Sequence, residues 1–201
     1  MKKMYILLTV FLLSIIASVT AFGADKKILI AYFSKAGENY GVGTVEKGNT
    51  QILAEMIAKE TGGDLFKIEP VKDYPTAYDD VVKEAKQEKD SNARPKIKNK
   101  VNNLKDYDIV FLGYPIWYGD MPMPVYTFLD ENNLSGKTII PFSTNEGSGI
   151  SGTVDSIEKY TKGNVIKNAF STRGRDTQNS QNKVAADVKK WIETLKANKN
   201  I

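Results

Sequence analysis

The run Ile28-Leu29-Ile30-Ala31-Tyr32-Phe33 is apolar at every position, and Asp108-Ile109-Val110-Phe111-Leu112-Gly113 is apolar through its middle. A strand with one wet face alternates polar and apolar residues; a run without alternation must be covered on both faces. Such strands pack where helices lie above and below a parallel sheet. The chain supplies those helices. Ile52, Leu53, Met56 and Ile57 fall on one helical face, which Gly62-Gly63 closes. Val81, Val82 and Ala85 mark a second, highly charged helix reaching about Lys89. Val125, Phe128 and Leu129 mark a third, entered through Pro122 and Pro124. A fourth runs from Thr153 to Tyr160, and Val184, Val188, Trp191, Ile192 and Leu195 define the last. Further strands read at Asp64–Ile68, Lys137–Phe142 and Asn164–Phe170, with Pro141 a mark against a central place for its strand. The polar stretch from Asp90 to Asn103 reads as loop with some helix. Strand and helix therefore alternate, and the expectation is one α/β domain around a doubly wound, five-stranded parallel sheet.

The N-terminus differs in character. Lys2 and Lys3 precede an apolar run from Met4 to Ile16, and small residues follow up to Ala24. A basic start, an apolar run and a small-residue exit are the parts of an export signal. The expected organisation is a signal peptide over 1–24 and one domain over 25–201, with a periplasmic or extracellular location. An uncleaved membrane anchor is the rival, and it is the one membrane contact foreseen. The chain has no Cys, so export brings no disulfide and no residue to carry a lipid. It has no His, which removes His-based triads and nearly all zinc sites. Hard chemistry must then come from a cofactor or from carboxylates. The 28 basic and 24 acidic residues are interspersed, with no basic block among aromatics, so nucleic acid is not an expected partner.

Open parallel sheets bind ligands beyond the carboxyl ends of their strands. Three loops leave such ends with unusual composition. The first, Ser34 to Thr50, enters a helix at Gly48-Asn49-Thr50. A helix N-terminus offers free N–H groups and a positive dipole end to an anion, and Ser34, Asn49 and Thr50 add side-chain donors. Gly43 to Thr50 approaches the nucleotide P-loop pattern, but Asn49 stands where its lysine belongs, which favours a monophosphate over a triphosphate. A plain connection with Asn49 or Thr50 as helix cap is the alternative. The second loop, Gly113 to Pro122, places Trp117 and Tyr118 side by side between Pro115 and Gly119. Stacking on a flat ring would use them; packing beneath the loop is the other role, expected for one of the two. The third loop, Ser143 to Gly152, is rich in small residues that let a ligand approach backbone amides, unless it is only a mobile connection. Glu38 and Glu46 would repel a phosphate and are expected to face solvent. The three loops together suit a phosphorylated planar heterocycle.

Residues 27–195 resemble the flavodoxin-like proteins that bind flavin mononucleotide (FMN). The family's phosphate loop, Thr/Ser-x-Thr-Gly-Asn-Thr, is matched by Ser34, Lys35 and Ala36 and then by Gly48, Asn49 and Thr50, with Gly37 to Lys47 inserted between. Ala36 replaces a hydroxyl. The segment Tyr114-Pro115-Ile116-Trp117-Tyr118-Gly119-Asp120-Met121-Pro122 is similar to the flavin loop of a bacterial subgroup. The resemblance implies a three-layer flavodoxin-like fold of strand order 2-1-3-4-5, with the flavin at the switch point; that placement comes with the family. It also implies that Trp117 or Tyr118 stacks on the flavin ring. Pro115, Ile116 and Gly119 would lie beside them, with backbone groups of Ile116, Trp117 and Gly119 facing the N5 edge. Thr144, Asn145, Gly147, Ser148 and Gly149 would lie along the pyrimidine side.

Three functions follow. The chain could carry electrons between redox partners, either proteins or small-molecule acceptors. It could be an FMN-dependent NAD(P)H:quinone-type oxidoreductase, with Tyr74, Tyr78 and Tyr118 lining a substrate pocket, although helix packing would also explain Tyr78. It could be a non-redox module that has lost its flavin. Carriers of this family are commonly strongly acidic, whereas this sequence has a pI of about 9.0, so docking through a negative surface is not implied.

Overall fold

A computed structural model describes residues 26–201, so the expected signal segment at 1–24 lies outside the described residues. The main sheet is formed by Ile28–Tyr32 (β1), Asp64–Lys67 (β4), Ile109–Pro115 (β5), Thr138–Asn145 (β6), Asn164–Val165 (β7) and Phe170–Arg173 (β8). Its order is β4-β1-β5-β6-β7, with β8 also against β6, and every pair is parallel. In the numbering of the expected strands this is 2-1-3-4-5, as foreseen. A separate hairpin, Gly37–Asn39 (β2) with Gly43–Val45 (β3), occupies the insertion. The helices are Asn49–Thr61 (α1), Tyr78–Asp90 (α2), Met123–Glu131 (α3), Thr153–Tyr160 (α4), Gly174–Asn179 (α5) and Gln181–Ala197 (α6).

Successive residues of a strand point to opposite faces, and the two uninterrupted runs use both. Leu29, Ala31, Val110, Leu112 and Tyr114 join Val125, Phe128 and Leu129 of α3 and Ile157 of α4 on one face. Ile30, Tyr32, Ile109 and Phe111 meet Leu53 and Ile57 of α1 and Val184, Val188, Ile192 and Leu195 of α6 on the other. Each fully buried Val, Leu, Ile or Phe among them contributes about 1.5–3 kcal/mol of transfer free energy. These two layers hold the carboxyl ends of β1, β5 and β6 level along one edge.

The fifth strand differs from its expected form. Instead of one strand over 164–170, two short pieces pair with opposite ends of β6. Pro141 accounts for the break. Thr138 N–H donates to Asp108 on the β5 side, while the Ile139 carbonyl accepts from Ile166 on the β7 side. Alternation points residue 141 toward β7 and β8 as well, and proline has no N–H to offer there. The neighbouring chain leaves the ladder after Val165 and rejoins it at Phe170. β6 is paired on both sides despite its proline, so the mark against a central position was misplaced. The missing bond falls in the gap.

Candidate functional site

The first loop folds as a close contact followed by a free helix end. The Ser34 hydroxyl is buried and accepts from Gln51 N–H at 3.0 Å. Gly48 passes so near that an added Cβ would sit 2.4 Å from both the Lys35 carbonyl oxygen and Ser34 Oγ. Only glycine fits between loop and helix at that point. Beyond it α1 begins with no acidic residue in its first turn and no side-chain cap. Among the described residues, the N–H groups of Gly48, Asn49 and Thr50 meet no acceptor. That is the arrangement in which a helix start binds an anion.

The side chains expected around it have other duties. The Thr50 hydroxyl is buried and shares a 2.7 Å hydrogen bond with Thr144 Oγ1. Lys35 turns its ammonium into the base of the hairpin, where it donates to the carbonyls of Ala36 at 3.0 Å and Glu38 at 3.2 Å. Burial lowers its pKa. Asn49 Oδ1 accepts from Gln178 Nε2 at 2.8 Å. Among the described residues, the candidate anion site is therefore built of backbone amides without a side-chain cation.

The second loop makes a tight turn. Trp117 and Asp120 exchange two backbone hydrogen bonds of 2.9 and 3.0 Å. Tyr118 and Gly119 between them have φ of 50° and 72°. Two consecutive left-handed residues define a type I′ turn, which glycine takes freely and tyrosine takes at a cost. Trp117 is the aromatic that packs beneath the loop. Its ring meets Phe33 edge-on at 5.3 Å and Tyr74 at 5.1 Å. Tyr118 stays 46% exposed at the tip. Its hydroxyl donates to the Val82 carbonyl on α2, and Lys89 Nζ donates to its own carbonyl at 2.6 Å.

The third loop is organised by Asn145. Its amide nitrogen donates to Ser171 Oγ and the Thr172 carbonyl, and its oxygen accepts from Gly147 N–H at 2.7 Å and Gly149 N–H at 3.1 Å. Those two amides, expected to face a ligand, turn inward on Asn145. The cleft is instead lined by Thr144, Asn145 and Glu146, with Pro115, Ile116 and Trp117, Asn49, Asn39, Tyr40, Tyr78 and Gly174. Gly147, Ser148 and Gly149 lie outside that lining, as do Tyr118 and Gly119. Ser34, Lys35 and Ala36 border a different cleft, with Phe33 and Tyr74.

Sequence reasoning missed part of this wall. Asn39 and Tyr40 come from the insertion, where the glycine-bracketed Gly37-Glu38-Asn39-Tyr40-Gly41 was the available turn signal. Glu38 is exposed, as expected, and its carboxylate also accepts Tyr78 N–H at 2.8 Å at the head of α2. Glu46 is exposed, as expected. Tyr78 lines this cleft and also an apolar groove beside it, with Val81, Val82, Ala85, Ile116, Trp117 and Tyr118. Gly174, at the start of α5, comes within Cβ distance of the Asn49 amide. Next to it Arg175 binds Glu146 through its Nε at 2.6 Å and its backbone N–H at 2.8 Å.

Known proteins share this arrangement of chain. A crystal structure of a protein from Bacteroides eggerthii assigned as a flavoprotein is 31% identical, with a TM-score of 0.58, covering 79% of this chain and 98% of its own. A similarly assigned protein from Bacteroides uniformis is 27% identical with a TM-score of 0.65, covering 84% and 98%. A flavoprotein from Lactobacillus acidophilus, crystallised in complex with FMN, shares the fold at 22% identity and a TM-score of 0.58, covering 76% and 97%. No curated protein sequence matches. The flavodoxin family profile matches residues 27–195, and the chain belongs to the flavodoxin family.

Proposed function

We propose that this chain binds FMN in the cleft at the ends of β1, β5 and β6 and carries single electrons between redox partners. The carrying observation is the start of α1, where the N–H groups of Gly48, Asn49 and Thr50 meet no acceptor among the described residues. It suits a phosphate monoester bound by amides. The residues present fit the rest of the group: Trp117, Tyr40 and Tyr78 offer aromatic faces, and Thr144 to Glu146 close the far wall. The fold neighbour crystallised with FMN supports the same reading. When bound, the flavin supplies reversible electron storage; the protein tunes it through contacts and hydrogen bonds.

Carrier chemistry suits the surrounding groups. Each carboxylate near the cleft is engaged: Glu38 with Tyr78 N–H, Glu146 with Arg175, and Asp120 with Tyr126 Oη and Met121 N–H. None stands free as a proton donor for a substrate. The second reading, an NAD(P)H-dependent reductase, is favoured by the apolar groove that joins the cleft through Tyr78, Ile116 and Trp117, where a second ring has room. The basic start, apolar run and small-residue exit of the N-terminus support an exported protein that takes up its flavin outside the cytoplasm.

The test is a titration of the protein lacking residues 1–24 with FMN, then stepwise anaerobic reduction followed by absorbance. Tight binding and two resolved one-electron steps support the carrier. A single two-electron step driven by NADPH moves the reading to the reductase. No binding removes both.

A further inference from the structure

The insertion crosses the cleft, and its two ends are held very differently. At the root, Lys35 Nζ sits among the carbonyl oxygens of Ala36, Glu38 and Thr76. Glu38 is tied to the head of α2 by N–H to the Thr76 carbonyl at 3.2 Å and by its carboxylate to Tyr78 N–H at 2.8 Å. Asn39 donates from its amide to the carbonyls of Lys35 and Gly37. At the tip, Gly41 reaches the opposite wall. A Cβ on Gly41 would lie 3.1 Å from an Arg175 guanidinium nitrogen and 3.3 Å from the Glu146 carboxylate. That wall is the Glu146–Arg175 pair, whose arginine is 45% exposed. The root is thus multiply bonded, while among the described residues the tip meets that wall by packing alone, with no hydrogen bond to it. Between them Tyr40, 61% exposed, lies over Tyr78 with ring centroids 5.9 Å apart and lines the cleft.

We propose that hairpin β2–β3 is a strap across the flavin cleft, hinged at α2 and latched by Glu146–Arg175, and that Tyr40 covers the ligand's ring when it is shut. The inference rests on the flavin reading above. A strap that must lift for entry slows arrival and departure alike. A residue that only touches bound ligand slows departure alone.

Stopped-flow mixing with FMN separates the two. Arg175→Ala is expected to raise both the association and dissociation rates by about fivefold, with the dissociation constant changing much less. Tyr40→Ala is expected to lose part of the quenching of bound flavin fluorescence, and Tyr40→Phe to restore it. Unchanged rates in Arg175→Ala, or a rise in dissociation alone, overturn the strap. Unchanged quenching in Tyr40→Ala overturns the role of Tyr40. If the wild type binds no FMN, the proposed function fails and the strap is judged on the free protein. There Arg175→Ala must raise the backbone mobility of Tyr40 to Val42 in NMR relaxation but leave that of Glu38 unchanged; equal mobility of Tyr40 to Val42 in both proteins overturns it.

Discussion

Thr50 and Thr144 share a hydrogen bond of 2.7 Å between hydroxyls that are both almost wholly buried. The bond joins the first turn of α1 to the end of β6, so it sets the spacing between the anion site and the far wall of the cleft. Thr144→Val leaves the Thr50 hydroxyl without a partner and is expected to cost about 1–3 kcal/mol. The double variant Thr50→Val/Thr144→Val removes both polar groups and is expected to cost less than the two single changes added. Urea denaturation of the three variants measures the coupling. Additive losses would show that the two hydroxyls act independently.

Gly48→Ala tests the close approach beneath the anion site. Its methyl group would meet the Lys35 carbonyl and Ser34 Oγ at 2.4 Å, and the carbonyl belongs to backbone held by the Asn39 amide. A loss of about 1–3 kcal/mol is expected, with weaker FMN binding. Gly152→Ala is the control: nothing lies within 4 Å of its added Cβ, and its stability is expected to stay within about 0.5 kcal/mol of wild type. Equal losses in both would point to a general glycine effect.

Tyr118 holds a left-handed conformation, φ 50°, at the tip of the aromatic loop. Asparagine tolerates that region better than tyrosine. Tyr118→Asn is expected to leave thermal stability unchanged or raise it by up to about 1 kcal/mol, and, because Tyr118 lies outside the cleft lining, to leave FMN binding unchanged. Stability gained with binding lost would mean the strain is kept for the ligand. If binding is unaffected, the tyrosine is there for its hydroxyl contact with Val82.

The layers of this fold were readable because their cause is local. An apolar run such as Ile28–Phe33 states in its own composition that both faces are covered. The interruption of the fifth strand was not readable, because its cause lies across the sheet in Pro141 and not in residues 166–169. The positions of the site loops were legible from strand ends, and the choice of Trp117 and Tyr118 as one packed and one exposed aromatic was anticipated as a pair but not assigned. The duties of polar side chains were the least legible. Asn145 could bind a ligand or its own loop, and only the return of Gly147 and Gly149 toward it decides. Glu146 and Arg175 lie far apart in sequence, and nothing local to either announces the other.

Glu88 offers a pH test of the floor beneath the aromatic loop. Its carboxylate accepts from Tyr74 Oη at 2.6 Å, and the Tyr74 ring packs edge-on against Phe33 and Trp117. Burial, helped by the like charge of Glu84, pushes the Glu88 carboxyl above its ordinary value of 4.5, outweighing the Tyr74 hydrogen bond and the Lys72 charge that pull it down. A carboxyl whose folded pKa is raised binds its proton more tightly in the native state than in the unfolded one. Its contribution to stability is then complete below the ordinary carboxylate range and is lost as pH rises through the folded pKa. Glu88→Gln keeps an oxygen for Tyr74 and removes the ionisation. Relative to wild type, this variant is expected to gain stability as pH rises from about 4 to 7. Urea midpoints measured across that range follow the difference directly. A wild type that gains on the variant with rising pH would mean that the charged carboxylate is stabilised at this position, and that Lys72 and Tyr74 outweigh burial.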